Sequence, residues 1–206
     1  RQREKWQRQA VKDFAAGEAT KALEAYAKRG FVSVAKDRDQ ALEALLSEWK
    51  KDGLEAPEKN LIVAATNADG RALNRKIQAM RLEKDGQKED PSATISGESF
   101  YAGDRILFTK NSSAVGVKNG TLGTVLSVAD GRVTVALDNG NKRTFSPESY
   151  SHAKLGYAVT THKAQGVTVD NVFILTNESM QDRELTYVQA SRAKNEARFF
   201  TTEVEA

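Results

Sequence analysis

Cysteine is missing from the 206 residues, so neither a disulfide framework nor a thiolate-bound metal is available. Histidine is nearly missing: His152 and His162 are the two present, too few ligands for a zinc site. No apolar run approaches the roughly 20 residues that a membrane-crossing helix needs. Neither sign of charge dominates, since 31 Lys and Arg stand against 28 Asp and Glu, a formal net charge of +3. A surplus that small leans toward a polyanionic partner without identifying one. Internal repeats and low-complexity tracts are absent, and the opening RQREKWQRQ reads as neither a signal nor a transit peptide. Also absent is any G-x-x-x-x-G-K-S/T loop, and no acidic residue follows an apolar strand as a Walker B acid would. The chain therefore lacks the parts that cradle nucleotide phosphates and hold Mg2+.

What is present suits a soluble globular protein. Hydrophobic residues make up 39% and charged residues 29%, and the length allows one large domain or two small ones. The chain starts without Met and stops at TTEVEA, so a fragment of a longer protein is expected.

Three textures follow one another. Residues 1–96 are helix-rich and broken by short strands. Trp6 to Lys28 is helical with a break near Gly17, and Trp6 is expected to cap the sheet. Gly30 ends that stretch and Phe31–Val34 reads as a strand. Asp37 to Gln40 forms a cap region ahead of Leu42, Leu45, Leu46 and Trp49 at helical spacing, which places Trp49 in the core, and Gly53 closes that helix. Leu61–Ala65 is a continuous apolar run, the pattern of a strand buried on both faces. Thr66 and Asn67 cap a helix lined by Leu73, Ile77 and Met80. Strand–helix alternation of this kind implies an α/β fold with a parallel sheet.

From Gly97 to Tyr150 short strands alternate with Asn-Gly and Asp-Gly turns. The segment TVLSVA-DG-RVTVAL is a type I′ hairpin signal, with Val133, Val135 and Leu137 on one face. A small antiparallel barrel of SH3-like size is expected, entered through the polar linker 85–96. After Tyr157 the α/β texture returns: a strand at Val172–Leu175, helical spacing through Leu185, Val188 and Ala190, and a last strand at Arg198–Thr202. The barrel thus interrupts one α/β domain.

Two stretches could carry chemistry. Thr160-Thr161-His162-Lys163-Ala164-Gln165-Gly166 follows a buried strand. Ligands of parallel sheets sit beyond the carboxyl ends of strands. Hydroxyls, turn N–H groups and Lys163 could hold a phosphate there. Taken alone, such a segment is more often a capped polar turn. The second stretch is Tyr187-Val-Gln189-Ala-Ser-Arg192-Ala-Lys194. A cation near a helix end suits the helix dipole, and Arg192 could equally address a transferring phosphoryl group, with Gln189 on the same helical face.

Together, T-T-H-K-A-Q-G and, about 20 residues on, Y-V-x-x-S-R-A resemble motifs V and VI of superfamily 1 DNA helicases, in detail the RecD-like branch. LIVAATNADGRALN (61–74) resembles the strand–helix segment before the inserted barrel of that branch. GDRILFTKN (103–111) and GVKNGTLGTV (116–125) resemble the insertion itself. The opening Arg1-Gln2 with WQRQA resembles the motif IV region of the helicase part of TraA-type conjugative relaxases. The resemblance implies a RecA-like domain 2A formed by 1–96 and 151–206, with an SH3-like 2B insertion at 97–150. It implies that Arg192 is an arginine finger and that Arg1 also faces the nucleotide. Thr160, Thr161, His162 and Lys163 would meet single-stranded DNA, with Lys110 and Lys118 on the barrel. Gln165, Gly166 and Gln189 would couple the DNA groove to the nucleotide cleft. Thr168 stands where UvrD-like helicases carry a glutamate, which favours the RecD-like branch and 5′→3′ polarity. ATP and Mg2+ would be used by the full-length protein and held by a missing N-terminal RecA-like domain, so the fragment alone is expected to be inactive. Relaxosome or transfer proteins are implied partners and the cytoplasm the implied compartment. No resident metal is expected. The competing readings are a non-catalytic nucleic-acid or protein-binding adaptor on the same folds and a barrel interaction module decorated with helices.

Arg192 and the Thr160-Thr161 bend are expected to share one rim of the sheet. Tyr101, Phe108, Tyr150 and Tyr157 are read as packing residues before base-stacking platforms. Arg71, Arg75, Lys76 and Arg81 are read as a solvated helix face, and His152 as structural.

Overall fold

The computed structural model describes residues 2–86, 92–176 and 189–203. The chain divides into two compact units, Arg1–Leu73 together with Ala158–Ala206, and Asn74–Tyr157.

The first unit opens with two helices, α1 (Lys5–Ala15) and α2 (Ala19–Ala27). They are parted at Gly17, whose φ of 84° is open to glycine at little cost. Then come β1 (Val32–Ala35), α3 (Arg38–Gly53), β2 (Asn60–Ala64) and α4 (Asn67–Asp85), whose residues from Asn74 onward belong to the second unit. Asp37 caps α3 by accepting from Gln40 N at 2.8 Å, the role its position implied. After the second unit the chain returns as β10 (Ala158–Thr160), β11 (Val169–Leu175) and β12 (Ala193–Thr202). The strands form one parallel sheet in the order β1-β12-β11-β2-β10. All five residues of β2 are buried, as its unbroken apolar run requires.

Aromatic packing fills this core. Phe199 meets Tyr26 at 5.0 Å and Phe14 at 6.2 Å, so α1 and α2 cover one face. Arg198, one residue earlier and therefore on the other face, reaches Glu48 of α3 at 3.1 Å. Trp49 is fully buried and donates from Nε1 to Asn60 O at 2.8 Å. Trp6 stacks on Phe31, centroids 5.6 Å apart.

The second unit is antiparallel. A short hairpin pairs β3 (Ala93–Ile95) with β4 (Glu98–Phe100). A five-stranded sheet runs in the order β8-β7-β6-β5-β9, built from β5 (Arg105–Phe108), β6 (Leu122–Ala129), β7 (Arg132–Leu137), β8 (Lys142–Phe145) and β9 (Ala153–Leu155). Asp130 and Gly131 take φ of 50° and 68° between β6 and β7, the paired positive φ of a type I′ turn. Two sequence expectations change. Ala93–Ile95, read as linker, is a strand, because Thr94 and its neighbours pair with Glu98–Phe100. Arg81, read as solvated, is buried: its guanidinium meets Asp104 Oδ1 at 2.8 Å and the Tyr157 hydroxyl at 3.0 Å. Tyr157 in turn donates to Asp104 at 2.7 Å. Burial, with Asp104 beside it, pushes the Tyr157 hydroxyl well above its ordinary value.

Phe108, Tyr150 and Tyr157 are buried and Tyr101 is half-buried. His152 is exposed, and its carbonyl accepts from Thr109.

Candidate functional site

The parallel register fixes where the two motif-bearing stretches lie. Thr160 is the last residue of β10 and pairs with Ala64, which pairs with Leu175, which pairs with Phe200. The Thr160 bend therefore leaves from the carboxyl ends of the strands. Arg192 sits in a turn immediately before β12, and its carbonyl accepts from Val169 N at 3.1 Å at the start of β11. It therefore lies at the amino ends. A common rim was expected; the register puts the two at opposite ends. The segment 161–168 leads from one end to the other, because β10 stops where β11 must begin again in parallel.

A buried hydrogen bond joins the two regions. Gln189 Nε2 donates to Thr161 Oγ1 at 2.8 Å, with Gln189 7% and Thr161 6% exposed. Gln189 O in turn accepts from Arg192 N at 3.2 Å. The bend is a chain of short turns: Lys163 N and Ala164 N both donate to Thr160 O, at 2.9 and 3.0 Å, and Gln165 N donates to His162 O at 3.4 Å. Those three N–H groups are already committed within the bend. Ala164 is fully buried and anchors the bend. His162 and Gln165 are exposed, and Thr160 and Lys163 are half-exposed. Thr161 points inward, because its hydroxyl serves Gln189. Gly166 has φ of 84° with open space where a Cβ would stand, so the backbone conformation, not crowding, calls for glycine.

Arg192 is half-exposed, and its Nε and Nη2 reach Ser191 Oγ at 3.2 and 2.7 Å. Arg1 and Leu185, Tyr187 and Val188 lie outside the described residues.

Lys110 and Lys118, both exposed, belong to the second unit. The loop between them is closed by Asn111 Oδ1 accepting from Asn119 N at 2.7 Å and by a Ser112–Val117 bridge. That closure brings the two lysines onto one loop. Arg143, which the sequence did not single out, reaches the same loop at Gly116 O, 3.4 Å. Among the described residues, no group of three or more His, Asp or Glu could hold a metal ion, and no helix is long and apolar enough to cross a membrane.

Sequence reasoning missed a cluster at the carboxyl ends of the first unit. Arg38 Nη2 meets Asp69 Oδ2 at 2.7 Å and Arg38 Nη1 donates to Thr176 O. Asp69 also accepts from the Thr66 hydroxyl at 2.7 Å. The Thr66 cap was legible, but residues 38, 69 and 176 are joined by tertiary structure alone. Gln2, 7% exposed, was named in sequence without a role of its own; it donates to the carbonyls flanking Arg192.

Known proteins share both the sequence and the fold. The UvrD-like helicase C-terminal domain matches residues 155–199. The conjugal transfer protein TraA of Agrobacterium fabrum is 36% identical over 205 residues, 97% of this chain and 18% of the relative. The ATP-dependent RecD2 DNA helicase of Deinococcus radiodurans is 37% identical over 132 residues, 63% of this chain and 17% of that protein. The chain thus spans less than a fifth of the length of these relatives. In three dimensions, a Bacteroides Pif1 helicase solved with ADP-AlF3 and single-stranded DNA superposes with a TM-score of 0.59 at 20% identity, covering 95% of this chain and 49% of that one. That likeness shows a mixed α/β helicase fold built on a parallel sheet.

Proposed function

Because the chain is a RecD-like helicase C-terminal region, we propose that it is the second motor domain of an ATP-dependent DNA helicase that moves 5′→3′ on single strands and serves conjugative plasmid transfer. In this reading 1–96 and 151–206 form domain 2A, and 97–150 is an SH3-like 2B insertion. The observation that carries the proposal is the Thr161–Gln189 hydrogen bond at 2.8 Å. It ties the bend at the carboxyl ends to the turn that bears Arg192 at the amino ends. A translocating motor needs such a link between a strand-binding surface and a nucleotide-facing one.

The division of labour follows from the residues present. This chain has no phosphate-binding loop, so ATP and Mg2+ belong to a second RecA-like half. The nucleotide supplies the phosphoryl group to be transferred. Arg192 contributes a guanidinium to the charge that develops on it, an interaction that raises turnover by about a thousandfold or more in related enzymes. Thr160, His162 and Lys163 form the strand-contacting surface, with Lys110 and Lys118 as outlying contacts to the DNA backbone. Gln165 and Gly166 sit on the segment that connects the two ends, and Thr161 with Gln189 transmits between them. Arg1 would join Arg192 at the nucleotide. The TraA likeness supports a role in conjugation beside relaxosome or transfer proteins, and the RecD2 likeness together with Thr168 supports the polarity.

ATP turnover by the 206-residue chain and by the full protein tests the assignment. The isolated chain should hydrolyse no ATP, and the full protein should hydrolyse it faster with single-stranded DNA. Turnover by the isolated chain that disappears in Arg192→Ala would overturn the division of labour.

A further inference from the structure

Four successive carbonyls around Arg192 are all held, by three donors between them. Ser191 O accepts from Gln2 Nε2 at 3.3 Å and Ala193 O from the same nitrogen at 3.1 Å. Arg192 O accepts from Val169 N at 3.1 Å, and Lys194 O from Arg3 N at 2.9 Å. The primary amide has two N–H groups, and Gln2 directs both at the peptide groups on either side of the arginine. The bonds join positions 189 and 191 residues apart in sequence. They close over a buried side chain, so each is worth more than its solvated counterpart.

From this we infer that Gln2 is a positioning residue for Arg192. Its carboxamide staples the turn so that the guanidinium leaves the backbone in one direction. The inference deepens the motor reading and rests on it. A guanidinium that must meet a developing charge loses effect steeply with misplacement, and about 1 Å costs on the order of a hundredfold. Side-chain freedom alone does not supply that accuracy; an immobile backbone beneath it does. The staple is also chemically specific. Backbone carbonyls require a donor, so an apolar side chain of equal length fills the space and leaves two buried acceptors unpaired.

The test uses the full protein, with ATP turnover measured beside thermal unfolding and the KM for ATP. Gln2→Met keeps length and volume and removes both donors. It should lower kcat roughly tenfold to a hundredfold, with KM within about twofold and with an unchanged response of KM to salt. Gln2→Lys keeps N–H donors, one bond farther from the backbone, and should recover most of kcat. Arg192→Ala is the reference. If Arg192→Ala turns over like wild type, the motor reading itself fails. If Arg192→Ala is inactive while Gln2→Met keeps wild-type kcat, or changes KM alone, the positioning role fails and the motor reading stands. Should Gln2→Met not fold, Gln2→Lys decides: near-wild-type kcat fits the staple, and turnover as slow as Arg192→Ala overturns it.

Discussion

At the residue scale, two side chains behave differently from their neighbours of the same type. Thr161 sits beside Thr160 in sequence, yet its hydroxyl is turned inward to accept from Gln189 at 2.8 Å, while Thr160 stays half-exposed. Adjacent threonines therefore split the work between link and surface. Thr161→Val keeps the shape, removes the acceptor and strands a buried N–H of Gln189. We expect a loss of about 1–3 kcal/mol in urea unfolding. In the full protein we expect a larger loss in the stimulation of ATP turnover by single-stranded DNA than in basal turnover. Equal loss of both would show that the bond stabilises without coupling. Arg81 makes a similar point for structure. Three of its helical neighbours at Arg71, Arg75 and Lys76 are exposed, and it alone is buried, against Asp104 and Tyr157. Nothing local marks it out, since the partners that hold it are 23 and 76 residues away.

At the element scale, legibility tracks how local the determining force is. The β6–β7 hairpin was readable because Asp130-Gly131 sets its turn and alternation sets its faces. Strand β2 was readable from an unbroken apolar run, and α3 from its Asp37 cap and its leucine spacing. Strand order was not readable, because β12 inserts between β1 and β11, and its pairing with β1 spans most of the chain. The positions of Thr160 and Arg192 at opposite ends follow from strand direction instead: in a parallel sheet a residue that closes one strand and a residue that precedes another lie at opposite ends, so the shared rim was the wrong expectation. The close of α3 gives a sharp test of packing. Gly53 ends the helix, and a Cβ built there would fall 2.2 Å from Cε2 of the fully buried Trp49. Glycine-to-alanine changes within helices ordinarily stabilise. Here the ring is held by its bond to Asn60 O at 2.8 Å and has nowhere to move. Gly53→Ala should therefore destabilise by about 1–3 kcal/mol in urea unfolding, and a stabilised variant would show that the ring relaxes freely.

At the scale of the whole molecule, charge bears on the proposed contact with DNA. The net charge of +3 is too small for a diffuse field to do the binding, so affinity must come from a few local contacts. Each phosphate neutralised on a single strand contributes about 0.7 to the slope of log K against log salt. Removing Lys110 and Lys118 together should lower that slope by about 1.4 and weaken binding similarly for unrelated sequences. An unchanged slope in a fluorescence-anisotropy titration would remove that loop from the interface. The motif likeness in the sequence reached this level correctly, identifying a helicase C-terminal region from T-T-H-K-A-Q-G and Y-V-x-x-S-R-A. It did not reveal the brace of Gln2 across Arg192, because that contact closes between the two ends of the chain.

The most direct measurement is single-turnover ATP hydrolysis by the full protein with saturating single-stranded DNA, comparing wild type with Arg192→Ala. The account predicts that nucleotide binding is nearly retained and that the hydrolysis step slows by about a thousandfold or more. A variant that hydrolyses bound ATP at the wild-type rate would contradict it, because the only catalytic group assigned to the described residues of this domain would then have no part in the reaction.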